Sequence, residues 1–554
     1  MACTLLLGAG ATQGGELGVS GLNTLRYGDG SVQSIFNPRV SVNRVFREEI
    51  LDLDLTRGLL RANLATALVW PSELPDSPPR TGEARIKEVD LVRRSLEWNG
   101  PVNVQVGHFW TTFGNGLALS LYRDEAMVNP RLVGNDREEL PTSWDSRGDG
   151  ALVEAMNGDW TVKALWGQSD YVGRLAGGNL EWTRPWGSLG GSLVRAARVP
   201  KDTRYPDNYL LDLENRELYG SLRLGRYEFS IDHVDQQNRN DELMYDITDK
   251  DAGAGLATYA TASAPLAGWS LLAEYKYYRF ARQSLYFNSP PTVQREFPTR
   301  LIARSTHRVF AYNDETGLSL NLSRSYEGGH SLRFSGAWAS RIGSGVLPQF
   351  KEALNAYQEY TAGWLMEFSP ERRLDLGAAY TEETNGWLPG HQSPRLDGLW
   401  YRRAGLSAAL LTPVPVLRSL ELAGELMRKS ELQADTTTIG LLVWSEIYPD
   451  AVPALKVPVP RFEGLKFDEI HWVSVFPAAS WSLNLTGDYE QHSQARQDWM
   501  GSGEARADFH WPAGLSHTLT VFYGRLRGGQ VCSNGNCRIV APFNGVKVTL
   551  ASQF

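Results

Sequence analysis

The sequence has no long apolar run. Its mean hydropathy is −0.32, and no segment approaches the roughly 20 consecutive apolar residues that a membrane-spanning helix needs. A helical membrane protein is therefore excluded. No stretch of the 554 residues shows a convincing helical period either.

Motifs that carry chemistry are also missing. Gly-x-Ser-x-Gly, His-Glu-x-x-His and Walker-type loops do not occur, and no Cys-x-x-Cys-His would attach a haem. The 9 histidines are scattered without the spacing of metal ligands. We therefore expect no enzyme, no cofactor and no metal site. A net charge of −8 argues against a broad nucleic-acid-binding surface.

Cysteine is rare, with 3 in the chain. Cys532 and Cys537 are separated by Ser-Asn-Gly-Asn, a turn-forming insert. In an oxidising compartment they would close a small disulfide loop. Free thiols remain the alternative. A zinc site is poorly supported, because a pair of cysteines needs further ligands nearby.

The first residues suggest export. Ala9-Gly10-Ala11 has the small-x-small form of a signal-peptidase site, after a short apolar stretch without a preceding basic residue. We interpret 1–11 as the remnant of a signal peptide and 12–554 as one domain. An ordinary N-terminus rich in small residues is the alternative.

The chain is rich in residue-by-residue alternation of apolar and polar side chains, which is the period of a β-strand. Leu51, Leu53 and Leu55, for example, alternate with polar neighbours. The other clear cases lie at 60–70, 227–232, 318–323 and 481–489. These segments predict an all-β protein.

Short turns and long polar loops alternate between the predicted strands. The short turns lie at Arg57-Gly58, Asn99-Gly100, Asn157-Gly158, Leu224-Gly225, Ala267-Gly268, Glu327-Gly328, Ser369-Pro370 and Pro477-Ala478. The long loops lie near 29–44, 71–86, 114–146, 199–214, 239–251, 283–312, 341–357, 384–399 and 528–541. Short turns on one rim and long loops on the other are typical of an outer-membrane barrel.

About 25 candidate strands can be marked in the sequence, and bacterial barrels have even strand numbers. The predicted fold of 12–554 is therefore a single large transmembrane antiparallel β-barrel of about 24–26 strands, an outer-membrane β-barrel with long extracellular loops. The ambiguity lies in 431–465. Thr436–Trp444 has the pattern of a strand, but the next segment contains Pro458 and Pro460. A barrel this wide cannot be filled by the side chains of its own wall.

The positions of the tryptophans and of the charged residues also fit an outer-membrane barrel. Trp98, Trp160, Trp186, Trp269, Trp481 and Trp511 lie close to short turns, as expected of residues at the membrane interface. Charges of both signs are expected on the lumenal face, because they would be costly against lipid. They are Asp52, Asp54, Arg61, Lys163, Arg223, Glu228, Asp232, Asp375, Asp488 and Lys547.

The last predicted strand carries an assembly signal. Val546, Val548, Leu550 and Phe554 share one face, and the chain ends on Phe. This pattern resembles the C-terminal signal that the barrel assembly machinery of the outer membrane reads.

A loop of unusual composition follows the fifth predicted strand. Three glycines near its start permit left-handed backbone, and Leu117, Leu119 and Leu121 make a freely solvated loop less favourable. We expect the loop to fold into the lumen and narrow it. The residues predicted at the constriction are Arg123, Asp124, Glu125 and Arg131. A loop folded over the extracellular rim is the alternative.

The same loop carries a family resemblance. Gly107-His108-Phe109-Trp110, with Phe113-Gly114-Asn115-Gly116-Leu117, resembles a motif of an uncharacterised family of bacterial outer-membrane barrels, and the segment from Cys532 to Phe554 looks like the end of that family. The resemblance implies a single porin-like barrel domain in the bacterial outer membrane. It implies no chemistry.

Three functional hypotheses follow. The first is a porin-like channel that passes solutes through a wide lumen. The second is a structural barrel sheath that houses a partner protein in its lumen, such as a multihaem cytochrome of a porin–cytochrome electron conduit. The third is a surface adhesion or assembly factor. The expected partners are outer-membrane lipid, the barrel assembly machinery and a periplasmic or lumenal protein, with no nucleic acid.

Overall fold

The structure is a computed structural model of the whole chain. It describes 17–33, 41–70, 88–121, 139–141, 148–169, 173–198, 211–238, 254–279, 314–343, 345–350, 356–384, 399–415, 417–433, 463–492, 497–510, 515–526, 529–533, 536–540 and 543–554. Within this part of the chain, no helix is long and apolar enough to cross a membrane.

The described residues form β-strands joined by turns. The first half of the chain contains β1 (Gly18–Gln33), β2 (Ser41–Arg57), β3 (Leu60–Trp70), β4 (Glu88–Asn99), β5 (Val102–Phe109), β6 (Thr111–Phe113), β7 (Leu119–Leu121), β8 (Glu139–Pro141), β9 (Gly148–Asn157), β10 (Trp160–Ser169), β11 (Gly173–Arg184), β12 (Gly187–Arg198), β13 (Leu211–Leu224), β14 (Tyr227–Asn238), β15 (Ala254–Leu266) and β16 (Trp269–Arg279). The second half contains β17 (Asp314–Ser325), β18 (Ser331–Ser340), β19 (Tyr357–Ser369), β20 (Arg372–Thr384), β21 (Leu399–Val414), β22 (Leu417–Gln433), β23 (Glu463–Pro477), β24 (Trp481–His492), β25 (Gln497–His510), β26 (Ser516–Leu526), β27 (Gly529–Ser533), β28 (Asn536–Val540) and β29 (Phe543–Gln553).

One antiparallel sheet of 24 strands forms the body of the molecule. Each strand of this sheet pairs with the next strand of the sheet along the chain. β5 pairs with β9, because β6, β7 and β8 belong to two smaller sheets and are not strands of the barrel wall. The sheet closes where β29 pairs with β1. Hydrogen bonds in both directions between the main chains of Gly21 and Phe554 (2.8 and 3.0 Å) complete this seam. The predicted all-β barrel is confirmed.

All the predicted short turns lie on one rim of the barrel. β2 and β3, for example, are joined at Gly58, and β9 and β10 are joined at Gly158. These glycines have φ of +58° and +62°, values that residues with a Cβ rarely adopt. β1 begins and β29 ends on this same rim. Outer-membrane barrels place short turns in the periplasm, so we assign this rim to the periplasm and the opposite rim to the cell surface.

The wall has an apolar outer face and a polar inner face. On β14, the side chains of Tyr227, Phe229 and Ile231 are exposed, whereas the alternating Asp232 and Val234 are buried. Exposed tryptophans mark the periplasmic rim, namely Trp98, Trp160, Trp186 and Trp481. A second aromatic girdle lies about 8–11 residues further along the strands and includes Tyr360, Tyr380, Tyr489 and Trp499. A closed wall of this kind spans the bacterial outer membrane.

The strand number resolves to the lower of the expected values, 24. β22 extends to Gln433 and pairs directly with β23, which begins at Glu463. No wall strand is therefore inserted between them. Thr436–Trp444, Pro458 and Pro460 lie outside the described residues, as does the predicted leader at 1–11.

A small second sheet links two connections on the cell-surface side. β27 pairs with β28, and β28 also pairs with β8, which belongs to the connection between β5 and β9. In this sheet Cys532 lies directly opposite Cys537. The backbone register is therefore the one that the predicted disulfide requires, and the disulfide itself stays a prediction.

Candidate functional site in the barrel lumen

The connection after β5 turns into the barrel. β6 and β7 pair with each other to form a hairpin over 111–121, here called the lumenal hairpin. Its turn follows from the sequence Phe-Gly-Asn-Gly. Gly114 has φ +50° and Gly116 has φ +88°, and Gly116 N–H donates a hydrogen bond to Phe113 O (2.9 Å). Two left-handed residues in so short a span favour glycine at both positions.

The apolar residues of the lumenal hairpin are fully buried. Phe113, Leu117, Leu119 and Leu121 are at most 1% exposed. They belong to one apolar cluster with wall residues of β9 to β16, which are Leu152, Leu165, Leu175, Val194, Ala196, Leu213, Val234, Ala257, Tyr259 and Tyr278. Each such Leu or Phe contributes about 1.5–3 kcal/mol on burial. The hairpin is therefore a packed element of the wall's inner face.

Three hydrogen bonds between the backbone of the hairpin and inner-face side chains hold the hairpin in place. Asn115 N–H donates to Asp232 Oδ2 (3.0 Å), and Ala118 N–H donates to Glu217 Oε1 (3.4 Å). Asn215 Nδ2 donates to Ala118 O (2.9 Å). These bonds satisfy main-chain groups that a buried turn would otherwise leave unpaired. Because Asp232 alternates with lipid-facing residues of β14, the contacts place the hairpin inside the lumen.

The hairpin lies in the cell-surface half of the lumen. Asn215 and Glu217 are 4 and 6 residues from Leu211, where β13 begins at the cell-surface rim. Val234 is 4 residues from Asn238, where β14 ends at the same rim. The predicted inward fold of this loop is thus confirmed for its first part. The constriction residues Arg123, Asp124, Glu125 and Arg131 lie outside the described residues, and their role stays a prediction.

In the cell-surface half, inner-face side chains are also buried on β16, β17 and β19 to β23. Lys276 and Glu315 form an ion pair (3.1 Å) with side chains only 1% and 5% exposed. Further inner-face residues of β19 to β23 are also buried, namely Glu359, Thr381, Glu383, Arg403, Glu425, Glu469 and His471. An empty lumen would leave such side chains in water. Buried inner-face side chains therefore occupy a large part of the circumference of the cell-surface half.

The periplasmic half presents exposed ion pairs to the lumen. Arg61 pairs with Asp54 (3.1 Å) and Arg223 pairs with Glu228 (2.7 Å), with the two arginines 41% and 60% exposed. Three further pairs lie at the same end, namely Lys163–Glu154, Arg333–Asp375 and Arg506–Asp508. Each cation in this set has a carboxylate partner. The inner face is thus exposed in its periplasmic half and buried over much of its cell-surface half.

The predicted lumenal charges take these positions on the inner face. Asp232 holds the lumenal hairpin, and Asp488 binds His471 Nδ1 (2.5 Å). Lys547 lies over the rings of Phe543 and Phe522 at 4.4 and 5.6 Å. Sequence reasoning missed Asn215 and Glu217. Nothing in β13 marks them, because their role depends on a segment about 100 residues earlier in the chain.

The residues of the predicted assembly signal lie at the closing seam. β29 carries Val546, Val548 and Leu550 opposite Asp29, Tyr27 and Leu25 of β1. Reading of these residues by the assembly machinery stays a prediction.

No protein-family model matches the chain, and no curated protein matches it. Among solved structures, the chain is similar to one chain of the E. coli P pilus tip assembly intermediate PapC–PapD–PapK–PapG, with 11% identity and a TM-score of 0.48 over 97% of this chain and 61% of that chain. The P pilus usher (PapC) translocation pore has 10% identity and a TM-score of 0.40 over 96% and 98% of the two chains. OccAB1 of Acinetobacter baumannii has 8% identity and a TM-score of 0.37 over 68% and 93%. Because all these TM-scores are below 0.5, nothing about function follows from the similarities. No family model supports the resemblance to an uncharacterised barrel family.

Proposed function

We propose that the chain is a porin-like channel of the outer membrane with a wide periplasmic vestibule and a cell-surface half narrowed by the lumenal hairpin. The observation that carries this proposal is the contrast between the two halves of the inner face. Exposed ion pairs line the periplasmic part, whereas buried apolar and polar side chains line the cell-surface part.

The width of the barrel supports a passage for solutes. With 24 strands, a strand spacing of about 4.8 Å and a tilt of about 40° from the barrel axis, the backbone cylinder is about 48 Å across. Wall side chains cannot fill that diameter. A narrowing element is therefore needed if the channel is to exclude large molecules.

The charge pattern predicts weak ion selectivity. Because the arginines and the lysine of the vestibule pairs are each matched by a carboxylate, these pairs add little net field of their own. Single-channel recordings in planar bilayers under a KCl gradient should give a reversal potential near zero. A strongly cation- or anion-selective channel, or a protein that does not conduct, would contradict the proposal.

A sheath for a partner protein is the second candidate. A barrel of 24 strands is wider than the 16–18 strands of diffusion porins, which favours a lumen that holds more than water. Protein purified from its native membrane should be examined for a co-purifying haem protein by its Soret absorbance. A stoichiometric haem protein together with a non-conducting barrel would favour the sheath, and its absence would favour the channel.

A further inference from the structure

The lipid-facing side of β18 to β23 contains a groove of about 890 Å³. Cross-strand pairing explains its shape. One row across the sheet runs through Tyr360, Tyr380, Ala404, Arg428 and Asp468, each directly opposite the next. Ala404 therefore leaves a gap between a tyrosine ring and an arginine.

The row on the periplasmic side deepens this gap. It runs through Phe334, Ala362, Ala378, Leu406 and Leu426, again as direct cross-strand neighbours. Two adjacent alanines lie between an aromatic ring and two leucines. The result is an apolar depression, here called the lipid groove, with an ion pair at its outer end.

The depth of that ion pair in the membrane follows from the strand geometry. A band of about 25 Å crossed at a tilt of about 40° takes about 10 residues at 3.3 Å each. Arg428 is 11 residues from Leu417, where β22 begins at the periplasmic rim. Tyr360 and Tyr380 lie in the same row, and aromatic girdles mark the level of the lipid headgroups. Arg428 therefore lies at the headgroup level of the outer leaflet.

Arg428 has hydrogen-bonding capacity to spare. Its Nε and Nη2 donate to Asp468 Oδ1 (2.7 Å) and Oδ2 (3.2 Å). A guanidinium has five N–H donors, so three remain, and the side chain is 79% exposed. One row further out, Arg402 adds a second cation that is 49% exposed. Guanidinium groups bind phosphate oxygens with good geometry and strong hydrogen bonds.

We propose that the lipid groove binds a phosphorylated glycolipid of the outer leaflet, of the lipid A class. One acyl chain fills the depression beside Ala378 and Ala404, and a sugar phosphate accepts hydrogen bonds from Arg428. Lipid tails are as apolar as the groove, so burial of the chain alone provides little preference. The phosphate contact supplies the specificity, and the groove fixes the lipid beneath it.

The test is native mass spectrometry of the full-length barrel in detergent, titrated with diphosphoryl lipid A. Arg428→Gln should weaken binding about tenfold to hundredfold, the loss expected for charge-assisted hydrogen bonds. Ala404→Leu should weaken it independently by filling the groove. Leucine is well tolerated on a lipid-facing surface, and heat-modifiable migration would confirm that both variants are folded.

Arg195 provides a matched control. It pairs with Asp212 through the same Nε and Nη2 atoms (3.0 and 2.9 Å), on the outward face of β12, and is 51% exposed. It does not line the lipid groove. Arg195→Gln should leave lipid A binding unchanged. An equal loss with this control would show that any outer arginine suffices, and the proposed site would be wrong.

Two other ligands give different outcomes. Dephosphorylated lipid A should bind about as weakly to the native barrel as diphosphoryl lipid A binds to Arg428→Gln. If phosphatidylethanolamine binds as tightly as diphosphoryl lipid A, the site recognises no glycolipid and the proposal fails.

A dimer of the barrel that dissociates in Ala404→Leu would show that a second copy of the chain occupies the groove instead, and this too would overturn the proposal.

Discussion

The lumenal hairpin can be loosened by a single methyl group at Gly114. A Cβ at this position would lie 2.7 Å from Glu217 Oε1 and 3.0 Å from Asp232 Oδ2, and the backbone there has φ +50°. The left-handed conformation costs an alanine about 1–2 kcal/mol. Displacing Asp232 also weakens its charge-assisted bond to Asn115 N–H, at a cost of about 1.5–3 kcal/mol.

Together these effects destabilise the docked hairpin by about 2.5–5 kcal/mol, which raises its opening equilibrium at least about 50-fold. Hydrogen exchange of the folded barrel, followed by mass spectrometry, measures this change directly. In Gly114→Ala the amides of 111–121 should exchange at least about 50-fold faster. The amides of β13 should keep their native rates.

Gly158→Ala is the matched control. Gly158 also has positive φ (+62°), but a Cβ there would meet nothing within 4 Å. The control carries the same backbone penalty at the periplasmic rim and should not affect the hairpin. Native exchange rates at 111–121 in Gly114→Ala would refute the role of Glu217 and Asp232. A similar acceleration in the control would show that the effect is not local.

Three further predictions concern the rims and the seam. Deleting Phe554 removes its main-chain bonds to Gly21 and should reduce the amount of heat-modifiable folded barrel in membranes, and normal amounts would refute an assembly role. Cys532→Ser should leave the barrel folded and increase protease nicking between 528 and 538, since a short disulfide loop contributes roughly 2–3 kcal/mol; free thiols in the native protein would contradict the disulfide. A cysteine at Gly328, in the turn between β17 and β18, should resist a membrane-impermeant reagent on whole cells, whereas one at Asp246 should react, and the reverse pattern would invert the topology.

Much of the barrel could be predicted from local sequence. Alternation such as that of Leu51, Leu53 and Leu55 indicates a wall with one apolar and one polar face. Glycine-containing pairs such as Asn157-Gly158 indicate the tight turns. The strand count was ambiguous because prolines beyond Gln433 interrupt the alternation without showing whether the wall continues. The register of β22 with β23 decides it.

The lumenal site could be predicted only in part. Glycines next to leucines indicated that the loop after β5 would turn inward, since such a segment is poorly suited to water. The wall residues that receive it, Asn215 and Glu217, were not predictable. They lie on strands far along the chain, and only the closed geometry of the sheet brings them to the hairpin.

The lipid groove could not be predicted from sequence for a related reason. Ala362, Ala378 and Ala404 are unremarkable small residues in three separate strands. They become a groove because the register places Ala362 opposite Ala378, and Ala404 one row further out and opposite Arg428. Register between strands is a property of the assembled sheet.

The narrowing of the lumen by the hairpin is tested most directly by single-channel conductance. In the variant to be compared with the native barrel, residues 111–121 are replaced by a Gly-Ser segment of equal length, which removes the apolar contacts of Phe113, Leu117 and Leu119 with the wall. The native protein should show a small conductance, and the variant should show a conductance several-fold larger with the same weak ion selectivity. Equal conductances in a folded variant would contradict the account, because they would show that the hairpin does not limit passage through the barrel.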